Sequence, residues 1–233
     1  MWYEDHEFDD IMDELRARAG AGVFEPGRGV DVDAVLERAF GVVPDFVDLP
    51  AGLLGRTRFA PDGRFEIEVS RTLSEEAEHD RVARRRLRST LGHECGHGAL
   101  HAHLHVADVK TLSLFNDAPV ARTPRILCRH ETVEALAPSA SPRYDGQWWE
   151  YQANRGMACL LLPRRMLADQ VRDICATRKH ASIEVAVRDG DGELVVRRLS
   201  EVFDVNPKML FYRLQDLQYL PSDVQQVQLV LDE

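Results

Sequence analysis

Apolar positions recur along this chain at two different periods. Residues 7–19 carry them at helical spacing, and so do residues 31–39, through Val32, Val35, Leu36 and Ala39. A glycine- and proline-rich stretch, with Gly20, Gly22, Pro26, Gly27 and Gly29, separates these two predicted helices. Residues 42–49 read as β-like. Residues 53–59 and 64–70 flank Ala60-Pro61-Asp62-Gly63, a hairpin signal, and Phe65, Ile67 and Val69 alternate as in a half-buried strand. Ser74, followed by Glu75 and Glu76, predicts the start of a helix that runs to about His103. Residues 106–146 are poorly periodic and contain several prolines, which predicts a long, partly irregular segment near a functional site. Helical spacing returns over residues 147–162, stops at Pro163, and resumes to about Thr177. Residues 182–188 and 193–197 flank Asp189-Gly190-Asp191-Gly192, which predicts a second hairpin. Two further helices are expected over residues 199–203 and 207–220. The pattern is α+β and divides into residues 1–178 and a C-terminal module, 179–233.

Composition narrows the class. The chain has 233 residues, 44% of them hydrophobic and 29% charged, as a soluble globular protein does. No stretch approaches the roughly 18 apolar residues of a membrane span. The acidic start, Met1-Trp2-Tyr3-Glu4-Asp5, is unlike a secretory signal. Cys95, Cys128, Cys159 and Cys175 form no C-x-x-C pair, so a reduced, cytoplasmic chain is expected. The net charge of −10 speaks against nucleic acid as the main partner. The arginine-rich run 81–88 follows Glu75, Glu76, Glu78 and Asp80, an order that suits a solvated helix face.

The candidate chemistry lies in His93-Glu94-Cys95-Gly96-His97. Residues four apart on a helix share a face, about 6 Å apart along its axis, so two imidazoles can point at one zinc ion. Glu94, beside them, can take a proton from the attacking water. A catalytic zinc wants a third protein ligand. His103 is a poor candidate, because a continuing helix carries it about 9 Å beyond His97. His101 is similarly displaced from His93, and is expected to sit behind the ligands, face substrate or lie exposed. Glu150 is the better third ligand. Asn154, four residues on, can accept a proton from the far nitrogen of a ligating histidine and fix its tautomer. Candidate oxyanion contacts are His101, His130, Tyr144 and Tyr151.

Residues 88–101, Arg-Ser-Thr-Leu-Gly-His-Glu-Cys-Gly-His-Gly-Ala-Leu-His, resemble the zinc helix of the ImmA/IrrE-type metallopeptidases. That family's later motif, Glu-x-x-Ala-Asn followed by Leu-Leu-x-Pro, is matched by Glu150, Ala153, Asn154, Leu160, Leu161 and Pro163. Leu54-Gly55-Arg56-Thr57 and Asp62-Gly63-Arg64 also look familial. The resemblance spans roughly residues 30–165. It implies a zincin-like domain, a small sheet packed on the His-Glu-x-x-His helix, with a gluzincin-like Zn2+ site. It also implies cleavage of a helix-turn-helix repressor in bacteria, which switches on stress or mobile-element genes. Residues 199–214 resemble a helix-turn-helix whose second helix carries just Lys208 and Arg213 as bases. A packing or repressor-docking module is therefore expected ahead of a DNA reader. The alternative is a non-catalytic regulator that binds a repressor or DNA and keeps a vestigial zinc site. The intact Glu94 speaks against it, because metal binding alone does not need that residue.

Overall fold

The computed structural model describes residues 3–60, 62–112, 125–129 and 148–221. Among these are nine helices and six strands, an α+β arrangement that is mostly helical. The first helix, α1, is Asp5–Ala19, and it is followed by the short antiparallel pair β1 (Phe24–Glu25) and β2 (Gly29–Val30). Helix α2 is Val32–Phe40, started by the Asp31 side chain, which accepts from the Ala34 amide. A four-stranded sheet is built from β3 (Asp45–Val47), β4 (Leu53–Phe59), β5 (Phe65–Ser70) and β6 (Arg125–Arg129) in the order β3-β5-β4-β6. The expected hairpin is β4–β5, with Phe59 opposite Phe65, and it closes through the Ala60 amide on the Arg64 carbonyl at 2.7 Å. Strand β3 is shorter than the β-like run 42–49 and pairs with β5 in parallel.

The helix expected from Ser74 to His103 is two helices. Helix α3 is Arg71–Ala77, capped by Ser70 rather than Ser74, and α4 is Arg81–Leu112. The interruption has a local cause. Asp80 turns its carboxylate onto the Ala83 amide at 2.8 Å and starts α4 afresh. Helix α4 then runs into the segment expected to be irregular. Strand β6, which pairs antiparallel with β4, lies in the same segment, and its remaining residues fall outside the described ones.

Helix α5 (Trp148–Leu161) and α6 (Arg164–Arg178) match the expected helices on either side of Pro163. The second predicted hairpin is instead a helix pair, α7 (Ile183–Arg188) and α8 (Gly192–Phe203). Asp-Gly here ends a helix. Gly190, at φ 85°, sends its amide to the Val187 carbonyl, and Asp191 bonds back to Ala186. The apolar residues Val195, Val196, Leu199 and Phe203 have helical spacing and are buried together. The last described helix, α9, is Pro207–Asp216.

Helix α4 lies between the sheet, which it meets at β4 and β5, and α5 on its other side. The main core runs from Phe8 on α1 to Leu220 beyond α9, so the C-terminal helices share it. Arg81 and Arg84 are exposed, as expected of a solvated face, whereas Arg85 is largely covered, and all three are engaged by the C-terminal helices. They converge on the Asp204 carboxylate at 3.7, 3.1 and 3.2 Å, while Arg88 donates to the Asp204 carbonyl. Arg213 is buried against Asp9, not displayed as a docking residue, and half-buried Lys208 starts α9. No helix among the described residues is long and apolar enough to cross a membrane.

Candidate metal centre

The facing surfaces of α4 and α5 are shaped by small residues. A Cβ on Gly96 would come within 2.9 Å of the Ala153 carbonyl oxygen, and one on Gly156 would lie 3.6 Å from the Gly96 Cα. The helices approach at backbone distance there, as glycine permits. The first turn of α5 is thereby brought over the histidine face of α4.

His93, His97 and Glu150 meet at that crossing. The His93 and His97 Nε2 atoms are 3.0 Å apart, and His93 Nε2 lies 3.1 Å from Glu150 Oε2. His97 Nε2 is 3.6 Å from Glu150 Oε1. A tetrahedral zinc with bonds of about 2.0–2.1 Å separates its ligand atoms by about 3.3 Å, so this triangle is the right size. The His93 Nδ1–H donates to Asn154 Oδ1 at 2.8 Å, the contact expected of Asn154, which leaves Nε2 directed at the cluster. The group can hold a metal ion. Both histidines are fully buried, whereas the Glu150 side chain is 12% exposed, so the cluster reaches solvent at its carboxylate edge.

The electrostatics favour positive charge at this centre. Burial opposes a charged His93, but the Glu150 hydrogen bond and the Glu94 and Glu150 charges outweigh it and raise its pKa. Burial, and then His93 itself, push His97 down to about 3. Glu150 falls to about 2: burial works against this, and its hydrogen bonds to both histidines prevail. Two neutral imidazoles and two buried carboxylates, Glu94 and Glu150, match the charge of one divalent cation.

Glu94 turns toward the sheet. The Thr57 hydroxyl on β4 donates to its carboxylate, and both residues are fully buried. Gly55, two residues earlier on the strand, makes room: a Cβ there would lie 2.9 Å from Glu94 Oε1. Gly55 and Thr57 belong to the resemblance noted in the sequence, without a chemical role of their own there. A Gly-x-Thr on a predicted strand carries no signal of its own.

His101 is not exposed; it stands behind His97. It is 1% exposed, with Nδ1 3.1 Å from His97 Nδ1 and Nε2 3.1 Å from Gln152 Oε1. Burial drives its pKa down to about 4. Its ring also packs edge-on against Trp148. Gln152 was missed entirely, since a glutamine on an amphipathic helix reads as ordinary surface. His103 is exposed and Tyr151 is 43% exposed beside Glu150, while His130 and Tyr144 lie outside the described residues. Cys95, Cys159 and Cys175 are free and buried. Neither protein-family models nor curated proteins provide a match for the chain.

Proposed function

We propose that this protein is a zinc-dependent endopeptidase of the ImmA/IrrE type that cleaves a helix-turn-helix repressor. The carrying observation is the convergence of two imidazole Nε2 atoms and one carboxylate at 3.0–3.6 Å, with Glu94 next to His93 in the chain. Two histidines and a glutamate form a ligand set known from catalytic zinc sites, and the Glu150 side, where the cluster reaches solvent, is the approach for water and substrate.

His93, His97 and Glu150 would hold the metal, and Asn154 orients His93. Zinc bound there supplies Lewis-acid polarisation of the scissile carbonyl. Glu94 accepts the proton of the attacking water and passes it to the leaving amine. Thr57 holds the Glu94 carboxylate in one orientation, so the base does not have to be ordered during the reaction. Tyr151, next to Glu150 in the chain and 43% exposed, is the candidate substrate contact.

The test is incubation of the zinc-loaded protein with a helix-turn-helix repressor encoded beside its gene. Fragments are expected with zinc, none after chelation, and none from Glu94→Gln. A repressor left whole by wild-type protein at full zinc occupancy, with binding retained, supports the non-catalytic regulator instead.

A further inference from the structure

His97 differs from His93 in what stands behind it. His93 is backed by an amide oxygen, which can only accept. His97 is backed by another imidazole, which can either donate or accept. Facing Nδ1 atoms at 3.1 Å leave room for one proton between them, so one ring must donate and the other accept. The choice is made one link further away. Gln152 Oε1 lies 3.1 Å from His101 Nε2 and accepts the proton there. His101 therefore carries its proton on Nε2, and its Nδ1 accepts from the His97 Nδ1–H. The His97 Nε2 lone pair then points at His93 and Glu150, where a metal ligand must point.

Turning the Gln152 amide over reverses every link. Its NH2 would donate to His101 Nε2, and His101 would donate from Nδ1 to His97 Nδ1. His97 would then present Nε2–H toward His93 Nε2 and Glu150 Oε1, 3.0 and 3.6 Å away. A proton would stand where the metal bond has to form. We infer that Gln152, acting through His101, decides which nitrogen of His97 carries the proton and thereby how tightly the site takes its metal. This rests on the metal-site part of the proposed function and is independent of proteolysis. Gln152 is a positioning residue, and its burial, at 2% exposure, keeps water from replacing the amide in the relay.

The experiment uses the full chain with zinc and a competing chromophoric chelator. Gln152→Leu removes the acceptor, and a 10–100-fold loss of zinc affinity is expected, the usual range for an outer partner of a ligating histidine. Gln152→Glu keeps an acceptor and cannot donate when ionised, so it should stay within a few-fold of wild type. A merely structural role would leave the His97 tautomer unchanged in every variant that folds. In parallel, long-range 1H–15N correlations on metal-free protein read the His97 tautomer. Nδ1–H is expected in wild type and Gln152→Glu, and a shift toward Nε2–H in Gln152→Leu. Zinc bound by folded Gln152→Leu as tightly as by wild type overturns the inference. So does a wild-type His97 protonated on Nε2, a result that needs no variant to fold. Wild-type protein that takes no zinc would instead remove the metal reading, while the tautomer spectra still decide the relay.

Discussion

Gly96 on α4 rests against Ala153 on α5 so closely that a single added carbon would lie 2.9 Å from a carbonyl oxygen. Backbone cannot yield as a flexible side chain can. Gly96→Ala is therefore expected to push the helices apart, destabilising the metal-free protein by about 1–3 kcal/mol. It should also weaken zinc binding, because Glu150 rides on the displaced helix. Urea unfolding and a zinc titration check the two effects together. Unchanged affinity would show that Glu150 reaches the histidines without the close approach.

The ligand assignment separates Glu150 from His103, the other residue considered as third ligand. Purified protein should hold about one zinc per chain. Glu150→Ala should reduce occupancy severely, while His103→Ala, at an exposed position, should leave it intact. Metal analysis of the purified variants decides this, and the reverse result would make His103 the ligand.

Glu94→Gln should keep fold and zinc but lose repressor cleavage, because the amide cannot take the water proton. Thr57→Val should retain zinc and lower kcat more than it raises KM, with Thr57→Ser restoring much of the loss. Turnover by Glu94→Gln at the wild-type rate would remove the general-base assignment.

The buried pair Arg213–Asp9 joins the last described helix to the first. Arg213→Met leaves a buried carboxylate without its cation, and about 3–5 kcal/mol of stability should be lost. Denaturant unfolding of the full chain measures it. A loss below 1 kcal/mol would mean that the C-terminal helices contribute little to the shared core.

Acid should destabilise the metal-free protein in a defined window. His97 and His101 have folded pKa values of about 3 and about 4, below the ordinary 6.5. The unfolded chain thus takes up two protons that the folded chain refuses, and stability falls as pH drops from 6.5 toward 4. The slope is at most about 1.4 kcal/mol per pH unit for each ring. The raised pKa of His93 works in the opposite sense, costing stability as pH rises above 6.5. Glu150 adds a further loss below 4.5. Urea midpoints between pH 4 and 7 should show the decline, and His101→Asn should make it shallower.

Where the structure departs from the sequence analysis, one signal had two physical uses. Asp-Gly closes β4–β5 at residues 62–63 but ends α7 at residues 189–190. A glycine at positive φ serves either, and the difference lies in whether the flanking apolar residues pack at period two or at helical spacing. Arg85 and Arg88, in the run read as solvent-facing, turn toward Asp204, which is more than a hundred residues away in the sequence. Arg213, a base on the second helix of the tail, finds its partner Asp9 at the far end of the chain.

By itself the sequence determined what is local. Four-residue spacing put His93 and His97 on one face of one helix, and turn chemistry with strand alternation set the β4–β5 hairpin. It also supplied Glu150 and Asn154 at matching spacing on a second helix. Tertiary structure alone decided that these helices touch through glycine, that Thr57 holds Glu94, and that Gln152 stands behind His101. Helical periodicity is enforced within a few residues by backbone hydrogen bonds. The His93–Asn154 and His101–Gln152 contacts join positions 61 and 51 residues apart, and they exist only once the core has closed around them.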